Sequence, residues 1–201
     1  MLTTLRRQTA VGLRVLLVMT VLCGIVYPLA IWGVARIPGL NAQAEGSILP
    51  GGSGSSLIGI DPVAADPAAD PYFHTRPAGS SDDVLGPGDT TSSGGSNKGA
   101  FDAELVESVT ERQRLIAARE GVAPEVVPAD AVTASGSGLD PDISPEYAAL
   151  QAPRVARVTG LDPDRVRELV AEATTGRTLG FLGSPRVNVT ELNLAVRDAD
   201  G

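Results

Sequence analysis

From Val15 to Ala35 the chain reads VLLVMTVLCGIVYPLAIWGVA, 21 consecutive residues without a charge. About 20 apolar residues span the hydrocarbon core of a bilayer as a helix. A cleaved signal peptide has a shorter apolar core, roughly 7–15 residues, and the cleavage-like Ala42-Gln43-Ala44 lies too far downstream. Cys23 follows Leu22 rather than a small residue, which argues against a lipid-modified cysteine. The run therefore predicts a retained single-pass transmembrane helix over residues 15–36. Arg6, Arg7 and Arg14 precede it and only Arg36 follows closely. Basic residues beside a membrane helix stay cytoplasmic, so residues 1–14 are expected inside the cell and everything after Arg36 outside. Tyr27 and Pro28 fall within the span. Pro28 reads either as a tolerated kink or, with Gly24, Tyr27 and Gly33, as a packing notch for a partner's helices.

All 24 acidic residues but only 12 of the 16 basic ones follow Arg36, so the exterior part carries a net charge of −12. Such a balance disfavours nucleic acid and anionic lipid as partners. Cys23 lies inside the span, so the exterior domain has no disulfide and depends on its core. His74 is the only histidine, and alone it reads as a surface or loop residue rather than a general base. One histidine and one membrane cysteine exclude a His/Cys metal site and cysteine catalysis. The sequence holds no Gly-x-Ser-x-Gly elbow, Walker loop or histidine pair. No metal site and no enzyme activity are expected.

Residues 37–56 read as a polar tether and 57–201 as the exterior domain. SLIGID (Ser56–Asp61) suggests a short strand. Prolines in PVAADPAADP forbid a helix or a central strand, and Tyr72 and Phe73 are expected to anchor the segment to the core. Arg76 is available to an acidic neighbour. A long Gly/Ser/Asp loop runs from Ala78 to Gly99. Phe101, Leu105, Val109, Leu115 and Ile116 then recur at helical spacing, predicting a helix from Ala100 to Arg119 capped by Gly121, with Asp102 and Glu104 in its first turn. The apolar start of VVPADAV suggests a second strand. Asp140-Pro141-Asp142 reads as a turn rather than a metal site. Ser144-Pro145-Glu146 starts a helix, which Pro153 either kinks or divides. Asp162-Pro163-Asp164 starts another, closing near Gly176. RVNVTELNLAV ends the domain as a strand followed by an apolar turn or helix. The expected class is a mixed α/β extracytoplasmic domain with long ordered loops behind one membrane helix.

SGGSN (Ser93–Asn97) stands before a helix, where the amides of Gly94, Gly95 and Ser96 could cradle a phosphate with Lys98 adding charge. Asp102, Glu104 and the net charge work against an anion there, and an ordinary turn fits the same residues. Together with Tyr27-Pro28, SLIG, the Phe73/Arg76-Pro77 element, VTASGSGLDPDISP (Val132–Pro145), QAPRVA (Gln151–Ala156) and GSPRVNVTELNLA (Gly183–Ala195), it makes nearly the whole chain resemble the C subunit of the Kdp-type potassium-transporting ATPase. Lys98, Ala100 and Thr190 depart from the usual pattern. The resemblance implies an accessory subunit of a complex with a channel-like potassium-translocating subunit and a P-type ATP-hydrolysing subunit. It also implies that the chain raises the catalytic subunit's ATP affinity in a transient ternary complex, with nucleotide contact at Gly94, Gly95, Ser96, Asn97 and Gln151. The charge rule places that loop outside, away from cytoplasmic ATP. Asp140 and Asp142 are candidates for concentrating cations at an outer entrance. The alternative is an independent membrane-anchored envelope module that binds a small ligand or peptide.

Overall fold

A computed structural model describes residues 2–59 and 61–200. The chain divides into two compact units, Met1–Ser47 and Ile48–Gly201.

In the first unit an apolar helical rod runs from Leu2 to Ala35, and among the described residues it is the one helix long and apolar enough to cross a membrane. It comprises α1 (Leu2–Val21), a π-turn (Leu22–Val26) and α2 (Tyr27–Ala35). At 1.5 Å per residue its 34 residues extend about 50 Å, of which the uncharged stretch supplies about 30 Å. Pro28 explains the π-turn. A proline ring collides with the carbonyl four residues back and offers no N–H to it, and that carbonyl belongs to Gly24, inside the turn. The helix widens there, so that the Tyr27 N–H reaches back to the Leu22 carbonyl. Past the rod, the Arg36 guanidinium lies 5.0 Å from the centre of the Trp32 ring and pairs with Glu45 at 3.4 Å. A single turn of helix, α3 (Asn41–Ala44), closes the unit.

The second unit packs four helices on a small antiparallel sheet. The helices are α4 (Ala103–Glu120), α6 (Pro145–Thr159), α7 (Pro163–Glu172) and α8 (Val189–Asp200), with a short α5 (Ala129–Val132) beside α4. Strands β1 (Asp142–Ile143), β2 (Thr174–Thr175) and β3 (Arg186–Asn188) are ordered β1-β3-β2, with Ile143 opposite Val187 and Thr174 opposite Val187. Phe73, Ile116, Tyr147, Val155, Val166, Val187 and Leu192 fill the core.

Helix boundaries follow their caps. Asp102 accepts from Glu104 N at 2.9 Å, Ser144 from Tyr147 N at 3.0 Å and Asp162 from Asp164 N at 2.7 Å. Gly121 takes the left-handed cap at φ 69°. Asp102 is therefore the cap and not a first-turn residue, and α4 starts three residues later than the periodicity indicates. Phe101, counted on the apolar face, precedes the cap and is fully exposed.

Three further expectations are corrected. SLIGID forms no strand in its described residues, Ile60 lying outside them; its backbone is used one bond at a time, as in Gly59 N to Leu139 O at 2.8 Å. VVPADAV forms no strand: Val126 ends a 3-10 turn (Pro124–Val126) and Ala129–Val132 are α5, because Pro128 cannot donate to a sheet ladder but suits the residue before a helix. Helix α7 ends at Glu172, and Thr174 and Thr175 leave it to pair with β3. Of the two readings of Pro153, the division is excluded, since α6 runs unbroken from Pro145 to Thr159. The end of the chain resolves into β3 followed directly by α8.

Candidate functional site

The segment Asp70–Pro77 crosses the core without joining a sheet, so its backbone polar groups need partners. Two amide side chains provide them. Asn193 on α8 accepts from Phe73 N and donates to Phe73 O, both at 2.8 Å. Gln151 on α6 does the same for His74, at 2.8 and 3.2 Å. An amide side chain carries the donor and acceptor of a peptide group, so each replaces a strand partner. Gln151 is completely buried and also accepts from Arg154 Nη2 at 3.2 Å.

A closed set of charges surrounds these amides. His74 lies between Asp70, at 2.5 Å from Nε2, and Asp61, at 3.0 Å from Nδ1. A carboxylate oxygen faces each ring nitrogen, an arrangement that favours the protonated ring, which can donate from both. Burial pushes the ring pKa down, but the bonds to Asp61 and Asp70 outweigh it and the net shift is upward. Asp70 shifts down, since the His74 contact and the Arg154 charge overcome its burial. Arg154 Nη1 donates to the carbonyls of Asp70 and Tyr72 at 2.8 and 2.9 Å, and Nε to Glu120 at 3.0 Å. Arg119 joins Glu120 at 2.7 Å and the Tyr147 hydroxyl at 2.9 Å. Burial pushes the Tyr147 hydroxyl up to about 12. Three cations thus face three carboxylates. Among the described residues no buried side-chain polar atom lacks a partner. The cluster thereby ties α4 and α6 to the strap.

His74 was read as a surface or loop residue. It does lie in a loop segment, but it is only 7% exposed, because the carboxylates that make its burial tolerable come from 4 and 13 residues away. No periodicity registers contacts of that kind.

The glycine loop lies against another loop. Gly94 N donates to Ser137 O and Ser93 Oγ to the same carbonyl, each at 2.9 Å. Asn97 takes a left-handed φ of 53°. A Cβ on Gly79 would stand 2.5 Å from Ser96 N, so the loop is packed on two sides. Lys98 pairs with Glu104 at 2.6 Å, which spends its charge on the first turn of α4. Of the cradle residues, Gly94 has its amide in the fold. Gln151 makes its hydrogen bonds to His74 and Arg154, and the structure brings no bond between it and the SGGSN loop.

Asp140 and Asp142 form the expected turn, Asp142 N donating to Asp140 Oδ1 at 3.0 Å. Arg76 pairs with Asp140 at 3.2 Å and donates to the carbonyls of Thr133 and Ala134. Arg186 pairs with Asp142 at 2.9 Å. Burial raises the Asp142 pKa against that arginine. Each carboxylate faces a guanidinium, which leaves little field for a mobile cation. Among the described residues no three His, Cys, Asp or Glu side chains gather as a metal site. A cleft of about 470 Å³ opens beside Tyr72, Asn193 and Arg197, and an apolar groove of about 880 Å³ lies between α6 and α7.

The pattern of the family described as "K+-transporting ATPase, c chain" matches residues 9–198. The chain belongs to the KdpC family. The potassium-transporting ATPase KdpC subunit of Kineococcus radiotolerans is 47% identical, over 98% of this chain and 97% of its own length. Those of Streptomyces coelicolor and Rhodopseudomonas palustris are 45% and 44% identical, over 97% and 92% of this chain and 94% of their own lengths in both cases. Reading the sequence missed Asp70, Glu120, Arg119 and Arg154 of the KdpC charge cluster. The visible signal was faint: Arg154 follows Gln151 by three residues on one helix face, between apolar positions.

Proposed function

We propose that this chain is the non-catalytic accessory subunit of an ATP-driven potassium import complex. The rod crosses the membrane with residues 1–14 cytoplasmic, and the domain stands on the outer side, as the arginine asymmetry indicates. It supports assembly of the channel-like and ATP-hydrolysing subunits. The π-turn, with Gly24, Tyr27, Pro28 and Gly33, is the place in the rod where a neighbouring helix can approach and engage a loosened backbone. The observation that carries this reading is the family match over residues 9–198.

The glycine loop enters this reading as a structural turn, and Gln151 as the peptide-like partner of the strap. An increase in the ATP affinity of the catalytic subunit is then exerted through the membrane helices, with no ATP held by Gly94, Gly95, Ser96, Asn97 or Gln151. The test is reconstitution of the two larger subunits with and without this chain, measuring potassium-stimulated ATP hydrolysis against ATP concentration. Loss of assembly, or a raised KM for ATP without the chain, supports the proposal; unchanged assembly and kinetics would refute it. Labelling of Ser96→Cys, in a Cys23→Ala background, by a membrane-impermeant thiol reagent reads the orientation separately.

A further inference from the structure

The hairpin joining β2 to β3 combines two features that the fold of this chain does not require. At its tip Thr178 pairs with Leu182, and Phe181 N donates to Thr178 O at 3.3 Å. The two central residues are Leu179 at φ 54° and Gly180 at φ 82°. Such a turn favours Asn-Gly or Gly-Gly, because a side chain beyond Asn is strained in the left-handed region. Here it carries a leucine. Leu179 is 79% exposed, Phe181 67% and Leu182 50%. Backbone strain at Leu179 coincides with an exposed apolar surface that Phe181 and Leu182 extend, which is the pattern of a contact surface.

Charge and position indicate what covers it. Between Gly176 and Asn188 the chain has Arg177 and Arg186 and no acidic residue, and with Arg186 paired to Asp142 at the base, Arg177 is the charge near the tip, within an exterior part of net charge −12. The base of the hairpin also lies against the first residues of the second unit. Ile48, the first residue of the domain, pairs with Ser55. Next to it, Ser56 O accepts from Asn188 of β3 at 2.8 Å and Ile58 O from Thr190 at 3.2 Å. Ile48 and Leu57, on that segment, are 61% and 60% exposed. Residues 36–47 separate the rod from Ile48, a reach of at most about 40 Å even when fully extended.

We infer that the Leu179–Leu182 tip is a lipid-inserting finger that seats the exterior domain on the bilayer that the rod crosses. Its apolar tip enters the interfacial region, with Arg177 beside anionic headgroups. The overall acidity that disfavours anionic lipid does not extend to this end of the hairpin. The inference rests on the anchoring of the chain by the rod and is independent of subunit assembly.

The test uses the full chain with Cys23→Ala and Phe181→Cys, labelled with an environment-sensitive fluorophore. It is reconstituted into vesicles of phosphatidylcholine and phosphatidylglycerol that contain spin-labelled lipid. Flotation with the vesicles reads the anchoring by itself. In floated vesicles the label at position 181 is expected to be blue-shifted and quenched by the lipid probe, while the same label at Glu107→Cys on α4 is not. Arg177→Gln should lower the inserted population about fivefold with phosphatidylglycerol and leave it unchanged in phosphatidylcholine alone. A label at 181 as solvated and unquenched as that at 107 overturns the inference. So does a blue shift that appears only when the larger subunits are added and that the lipid probe does not quench, which would assign the finger to a protein surface.

Discussion

Replacing Arg154 by methionine tests whether the buried cluster, rather than the helices alone, holds the strap. The guanidinium is 3% exposed and makes bonds to four groups: the carbonyls of Asp70 and Tyr72, the Gln151 amide and the Glu120 carboxylate. Methionine fills most of the volume and removes all of the donors. Breaking a buried ion pair from one side costs about 3–5 kcal/mol, since the remaining charge stays desolvated. Glu120 keeps Arg119 at 2.7 Å and Asp70 keeps His74 at 2.5 Å, which places the expectation in the lower half of that range, about 3–4 kcal/mol. For a domain of this size each kcal/mol moves the melting temperature by about 2–4 °C, so the fall is roughly 6–16 °C. Thermal circular dichroism of the full chain in detergent reads it, the rod's helical signal persisting as a baseline. Adding Glu120→Gln should cost less than the sum of the two single losses, because Arg154 and Glu120 share one ion pair that is removed only once. A shift below about 3 °C, or additive losses in the double variant, would refute the argument.

The pKa of His74 is raised in the folded chain, so the stability it contributes is complete below its ordinary value of about 6.5 and is lost as pH rises through the folded value. Melting temperatures followed from about pH 5 to 9 should fall on the alkaline side, and His74→Gln should flatten that limb. Gly79→Ala forces a Cβ to within 2.5 Å of Ser96 N and should cost about 1–3 kcal/mol or more. Gly94→Ala meets nothing within 4 Å and should melt like the parent, although both glycines border the same loop. Leu179→Asn relieves the left-handed strain and should raise stability by about 1 kcal/mol in denaturant melts while weakening lipid contact of the finger.

Local chemistry carried a long way in this chain. The uncharged run, the arginines before it, the caps Ser144 and Asp162 with their prolines, the Gly121 stop and the Asp140-Pro141-Asp142 turn are decided by residues within about four positions of one another. Sequence alone was sufficient for them, and it also carried the motifs by which the family is recognised. The elements it misplaced depend on distant partners. SLIGID has strand-forming residues but no ladder to join. Ala129 to Val132 became helical because Pro128 and the packing against α4 outweighed an apolar pattern. Pro153 stays inside α6, whose neighbouring residues Gln151 and Arg154 are fixed to a strap about 80 residues earlier in the chain. His74 looked dispensable for the same reason: a lone histidine is costly to bury, and only the tertiary fold brings Asp61, Asp70 and the Gln151 amide around it. Hydrophobic periodicity records which face of an element is dry. It contains no information about which buried charge will meet which, and in this domain that pairing determines where the strap lies.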